Sequence, residues 1–233
     1  MEELFQTFTL DIDILYWSSN KFLETGNENH VGGTTHDDTP YTIANEVAVF
    51  TRVGIERTMR FAFDVTRSRT RKKLTMDKVF YELAREYPDI EIDKMLVDVM
   101  TVRMILKPKT LDTIVATNLH GDILSDLAAA LAGSIGVMAS SSLDPTRKNP
   151  SLFEPIHGSA PDIAGQGVAN PVGTFWSAAE MLRWLGEDAA ADLLMKAIET
   201  VTASGLEAKD LGDTCNLKQV TNAVISELKN SYA

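Results

Sequence analysis

Segments that read as strands alternate with segments that read as helices through the first half of this 233-residue chain. That alternation limits the fold more than any other feature, because it selects a layered α/β architecture over an all-α or all-β one. FTLDIDILYW (8–17), EVAVFTRVG (46–54), IEIDKMLVD (90–98) and TIVATN (113–118) are rich in β-branched and aromatic residues and read as strands. Between them, IERTMRFAFDVTRSR (55–69) sets Ile55, Met59, Ala62, Phe63 and Val65 at helical spacing. DKVFYELAREYP (77–88) sets Val79, Phe80, Leu83 and Ala84 on one stripe before Pro88. A short helix opens TVRMILKPKTLD (101–112), and GDILSDLAAALAG (121–133) is a helix stopped at Gly133. HVGGTTHDDTPYT (30–42) and SLFEPIHGSAPDIAGQGVANP (151–171) read as loops. The C-terminal third then holds three helices, 172–186, 188–205 and 217–231, the first two closing at glycines. Helices in that proportion cover a sheet, and the chain offers few strands for it.

Charge narrows the partners. With 22 Lys and Arg against 33 Asp and Glu, the net charge is -11. Such a chain repels phosphate backbones and anionic lipid, so neither nucleic acid nor a membrane is expected as partner. RSRTRKK (67–73) runs against this balance and reads as a solvated helix end or loop. A single cysteine, Cys215, rules out a disulfide within the chain and suits a reducing compartment. The opening MEELFQTFTLDIDILYW lacks the features of a signal peptide, and LAAALAGSIGVMA (127–139) is too short and too small-sided to span a bilayer. A cytoplasmic location is the expectation.

The familiar nucleotide and hydrolase signatures are missing: no G-x-G-x-x-G, no P-loop, no H-E-x-x-H and no G-x-S-x-G. Two features carry chemistry instead. In NLHGDILSD (118–126), Asp122 and Asp126 stand four apart, one helical turn on the same face. They are either a solvated face near a helix start, where the dipole favours carboxylates, or half of a site for a hard divalent cation. In EPIHGSAPDIAGQGVANP (154–171), a long loop without a helix of its own suggests function. The small residues at 158–160 let a ligand approach the backbone, and Asp162 could hold the hydroxyls of a ribose. The same loop also reads as an ordinary Ω-type connection.

NLHGDILSDLAAALAGSIG (118–136), SLFEPIHGSAPDIAGQGVANP (151–171) and LVDVMTVRM (96–104) together resemble the isocitrate and isopropylmalate dehydrogenase family. DKMLVDVMTVRM (93–104) and GTFWSAAEMLRWLG (173–186) are most similar to its tartrate/D-malate dehydrogenase branch. The likeness runs from Val31 to the C-terminus. It implies an incomplete layered α/β/α fold in three parts: 1–30 unmatched, 31–137 a small dimerisation domain, and 138–233 the C-terminal half of a cofactor-binding domain. It also implies oxidation of a 2-hydroxy dicarboxylate such as D-malate or tartrate by NAD with Mg²⁺ or Mn²⁺, followed by loss of CO₂. The metal would act as a Lewis acid on the substrate oxygens. By motif, Asp122 and Asp126 resemble metal ligands of one subunit, and Asp98 the ligand given by a partner subunit. His157, Gly158, Ser159 and Ala160 resemble the stretch that meets the adenosine of NAD. Asp162 resembles the ribose-hydroxyl acceptor that disfavours a 2′-phosphate. Asn170 resembles the residue at adenine, and Glu154 an acidic residue near the cofactor.

The chain departs from the family's pattern in four places. Residues 1–30 match nothing in it, and the arginines that clamp substrate carboxylates have no counterpart. NENHVGG (27–33) stands where the family keeps an acid tyrosine. KKLTM (72–76) joins directly to DKVFYELA (77–84), so the catalytic lysine and its strand are missing near 76–77; Lys78 reads as a surface lysine. Asp213 replaces a glycine. No catalytic residue is therefore assigned. General acid–base help is worth roughly 10²–10⁴-fold, so little dehydrogenase activity is expected from a homomer. Three functions stay open: a dimeric dehydrogenase, a catalytically deficient relative that pairs with itself or with an intact one, and a plain binding protein. An incomplete domain is also expected to expose a sheet edge or an apolar helix face.

Overall fold

Strand and helix alternate through the first half as the patterning requires, and four of the described strands meet in a parallel sheet, the other four forming two antiparallel pairs. The computed structural model describes residues 13–17, 31–47, 51–76, 81–212 and 214–231. The strand reading over 8–12, Val79, Phe80, Lys78 and Asp213 fall outside these. The chain divides into two compact units, Asp11–Ser125 and one that contains Asp126–Ala233.

The first unit holds, in order, β1 (Asp13–Trp17), β2 (Val31–Thr35), β3 (Ile43–Val47), α1 (Arg52–Ser68), β4 (Lys73–Met76), α2 (Tyr81–Ala84), β5 (Glu91–Lys94), α3 (Val97–Leu106), β6 (Thr113–Thr117) and the start of α4 (Asn118–Leu131). Its sheet runs β1-β6-β4-β5, every pairing parallel. The core beside the sheet is Met59, Ala62, Phe63, Leu74, Met76, Leu83, Tyr87, Ile90 and Val115. It gathers one face of α1, alternate residues of β4, Val115 of β6, Leu83 of α2 and the segment after α2. Phe63 stacks on Tyr87 with ring centroids 4.3 Å apart.

Among the readings that change are four in this unit. First, residues 30–42 are not all loop, because Val31–Thr35 pairs antiparallel with Ile43–Val47. Thr39 and Thr42 hydroxyls both donate to the His36 carbonyl and close the turn. Second, the strand read over 46–54 stops early. Thr51 accepts the Gly54 N–H at 3.1 Å, an N-cap that turns Arg52–Gly54 into the first turn of α1. Third, the strand read over 90–98 ends at Lys94, and Asp98 lies in the first turn of α3. Fourth, the basic run 67–73 is a mostly exposed helix end and turn, as read, but its charges are paired as well as solvated. Arg67 forks onto Asp89, Arg69 pairs with Asp112 at 2.6 Å, Arg71 donates to the Lys109 and Leu111 carbonyls, and Lys73 meets Glu91.

The second unit adds β7 (Ala139–Ser142), β8 (Leu152–Pro155), α5 (Val172–Trp184), α6 (Asp188–Ala203) and α7 (Leu217–Ser231). β7 and β8 form an antiparallel pair, so residues 152–155 are strand rather than the start of the long loop. Asp144 organises their connection: it accepts from the backbone N–H of Thr146, Lys148 and Asn149 and from the Thr146 and Asn149 side chains. Burial alone would raise its carboxyl, but these bonds together hold it well below the usual carboxylate range. The three helices pack through Val137, Val172, Ala179, Ala191, Leu194, Ala197, Ile198, Val201 and Val224. Gly186 and Gly205, both at left-handed φ, close α5 and α6. No helix among the described residues is long and apolar enough to cross a membrane.

α3 is apolar on both sides. Met100 and Met104 are buried, whereas Val99, Val102 and Ile105 are each about half exposed (50, 54 and 55 %). Leu96 and Leu106 extend the exposed side. This is the uncovered apolar helix face that the sequence led us to expect.

Candidate cofactor and metal site

α4 starts directly at the end of β6, with no loop between strand and helix. Its inward face includes Gly121, Leu124 and Ala128, all buried, a helical spacing that turns Asp122 and Asp126 outward. Both are exposed. Because the helix begins at Asn118, three residues earlier than the sequence suggested, Asp122 lies beyond its first turn. The dipole fades within that turn, so it accounts for little of the pair. Like charges one turn apart cost a few tenths of a kcal/mol. A divalent cation removes that cost, and carboxylate oxygens are the donors a hard cation prefers.

Asp98 sits near the N-terminus of α3, exposed, with Oδ1 accepting the Val99 N–H at 2.8 Å. Among the described residues no group of three or more His, Cys, Asp and Glu side chains is placed to hold a metal ion. Asp122 and Asp126 thus fit as part of a hard-cation donor set, which two carboxylates do not complete.

The loop that follows β8 is built on unusual backbone. Ile156 donates to the Met138 carbonyl and extends the β7–β8 ladder by one bond. His157 Nδ1 lies 2.7 Å from the Gly158 carbonyl, a distance at which an Nδ1–H would donate to it. Gly158 has φ +68° and nothing near its missing Cβ, so conformation rather than space calls for glycine there. Ala160 adopts the left-handed region at φ 39°, a strained state for a residue with a Cβ. It precedes a single 3₁₀ turn, Pro161–Ile163. Ser159 and Asp162 are exposed, and the Asp162 carbonyl accepts the Gln166 side-chain amide. Glu154 is exposed on β8, opposite Ser140. Two outward carboxylates thus stand on this stretch.

Asn170 differs from its neighbours in being buried, at 7 % exposure. Its Oδ1 accepts the Val172 N–H and its Nδ2 donates to Asp210 Oδ2. Ser134 donates to the same oxygen. The sequence reading did not single out Ser134, which lies within the 118–136 motif, or Asp210, and both lie far from Asn170 along the chain.

Comparisons with known proteins bear on the chain as a whole. The family model described as isocitrate/isopropylmalate dehydrogenase matches residues 24–227. A probable tartrate dehydrogenase/decarboxylase, TtuC, of Agrobacterium vitis is 54 % identical over 214 residues, covering 86 % of this chain and 59 % of that protein. The D-malate dehydrogenase [decarboxylating] of Escherichia coli is 38 % identical over 218 residues, covering 85 % and 60 %. The crystal structure of isocitrate dehydrogenase from Methylococcus capsulatus superposes with a TM-score of 0.75 at 39 % identity, covering 80 % of this chain and 59 % of that one. The chain therefore spans about three-fifths of the length of these relatives.

Proposed function

Since the chain belongs to the isocitrate/isopropylmalate dehydrogenase family, we propose that it binds NAD and a divalent metal ion as part of a dimeric 2-hydroxy-dicarboxylate dehydrogenase assembly. The observation that carries the reading is the loop after β8, with its left-handed backbone at Gly158 and Ala160 and its exposed Asp162. The backbone of Gly158, Ser159 and Ala160, with His157 beside it, would lie along the adenosine. Asp162 would accept the ribose hydroxyls, and with Glu154 it would repel a 2′-phosphate. Asn170 would close the adenine end. Bound there, NAD supplies a hydride acceptor.

Asp122 and Asp126 would hold Mg²⁺ or Mn²⁺ together with Asp98 from a partner subunit. The metal, when bound, supplies Lewis-acid stabilisation of the substrate oxygens. The exposed Val99, Val102 and Ile105 on the helix that carries Asp98 favour a partner subunit there, because that face gains by leaving water. D-malate and tartrate are the substrates that the relatives' names suggest. The general acid and base of the family have no counterpart in this sequence, so the homomer holds cofactor and metal but turns over slowly.

Calorimetry with NAD, then with Mn²⁺, followed by an absorbance assay for NADH with D-malate and tartrate, tests this. Binding of both with little NADH is the expected result. No heat with NAD refutes the binding reading, and rapid NADH formation by the homomer refutes the deficiency. Replacing Asp122 or Asp126 by Asn should weaken Mn²⁺ binding at least tenfold, about 1.4 kcal/mol or more, while leaving NAD binding in place.

A further inference from the structure

Three separate segments of the second unit meet at one carboxylate oxygen. Asp210 lies in the 3₁₀ turn Lys209–Leu211, Ser134 caps the 3₁₀ turn Ile135–Val137, and Asn170 is the last loop residue before Pro171 and α5. Ser134 Oγ donates to Asp210 Oδ2 and accepts the Gly136 N–H at 2.9 Å. Asn170 Nδ2 donates to the same Asp210 oxygen at 3.1 Å, and Asn170 Oδ1 accepts the Val172 N–H at 3.0 Å. Gly136 seals the junction: a Cβ there would stand 2.5 Å from Asp210 Oδ2 and 2.9 Å from the Asn170 Cβ.

The direction of these bonds matters. A carboxylate only accepts, so Asp210 holds the Asn170 amide with Nδ2 toward itself and Oδ1 toward the start of α5. Both polar atoms of Asn170 are thereby engaged inside the protein. What Asn170 then does is fix the C-terminal end of the loop after β8, whose first residue is held by the Ile156 bond to Met138 and whose Gly167 carbonyl accepts the Leu217 N–H. We propose that Asp210 is a positioning residue of the dinucleotide site. It acts through Asn170 to set the end of that loop and does not itself touch the dinucleotide. The inference rests on the NAD reading above.

The test uses the full chain and four variants, D210A, D210N, N170A and D210A/N170A, with NAD titrated by calorimetry and each fold checked by thermal melting. D210A should bind NAD roughly tenfold more weakly, the effect of losing one hydrogen bond to a charged group. D210N should bind within about threefold of the unaltered chain, because an amide oxygen still accepts both bonds. The double variant should bind no more weakly than the weaker single one, since both substitutions cut one link. Unchanged binding in D210A, additive losses in the double variant, or a D210N as weak as D210A overturns the proposal; the last would put the carboxylate's charge on the dinucleotide itself. Should D210A not fold, N170A cuts the link from the other side, and NAD binding there equal to the unaltered chain overturns the proposal too. No heat with the unaltered chain fails the NAD reading and this inference with it, whereas heat that D210A leaves unchanged fails this inference alone.

Discussion

Replacing Arg69 by Met tests the finding that the basic run is built into the first unit. Arg69 Nε lies 2.6 Å from Asp112 Oδ1, with the two side chains 18 % and 1 % exposed. Asp112 Oδ2 also accepts the Lys73 N–H at 3.2 Å. Removing the guanidinium therefore strands a carboxylate with almost no contact with water and one backbone donor left. Breaking a buried pair from one side costs about 3–5 kcal/mol. The remaining Lys73 donor places this case at the lower end, about 3 kcal/mol. With a urea slope of roughly 2 kcal/mol/M, the unfolding midpoint should fall by about 1.5 M. The companion R69M/D112N removes both charges and keeps an acceptor for Lys73, so at least half the loss should return. Urea unfolding followed by circular dichroism measures both. A loss below about 1 kcal/mol in R69M, in the range of exposed pairs, or a double variant no more stable than the single one, would refute the reasoning and return the run to a solvated surface feature.

Phe63→Ala empties the centre of the same core and removes the stack on Tyr87, so it should cost about 3–5 kcal/mol in the same assay; a loss under about 1 kcal/mol would mean that the site collapses around the gap. Asp144 has a folded pKa below its unfolded one, so its contribution is fully present above about pH 4, the ordinary carboxylate value, and is lost as pH falls through the folded value. Urea midpoints measured from pH 5 down to pH 3 should fall less steeply for D144N than for the unaltered chain, and equal slopes would refute this. Asp162→Ala should weaken NAD roughly tenfold and narrow its preference over NADP, by loss of charged hydrogen bonds to the ribose; calorimetry with both dinucleotides reads it, and an unchanged ratio counts against Asp162.

Periodicity carried much of the fold. α1, α5, α6 and α7 were legible because their apolar residues recur at helical spacing and glycines end two of them. β6 was legible as a short apolar run. That Asp122 and Asp126 share a face followed from a four-residue spacing alone, because a helix turns that spacing into one face; that the face points outward did not. The misplaced boundaries share one cause. Thr51 as a cap and the pairing of Val31–Thr35 with Ile43–Val47 are contacts between residues, and local composition does not report them.

What only the tertiary structure decided is where polar groups find partners. RSRTRKK reads as a solvated helix end, and only the fold shows which groups its arginines meet there: Asp89, Asp112 and the carbonyls of Lys109 and Leu111, between 22 and 43 residues away. Asn170 reads as a residue at the cofactor, and only the fold shows that Asp210, 40 residues on, takes its amide. A sequence shows which side chains can donate and accept. Which donor meets which acceptor depends on loop closures over tens of residues, and only the folded chain brings those groups within hydrogen-bonding distance of one another.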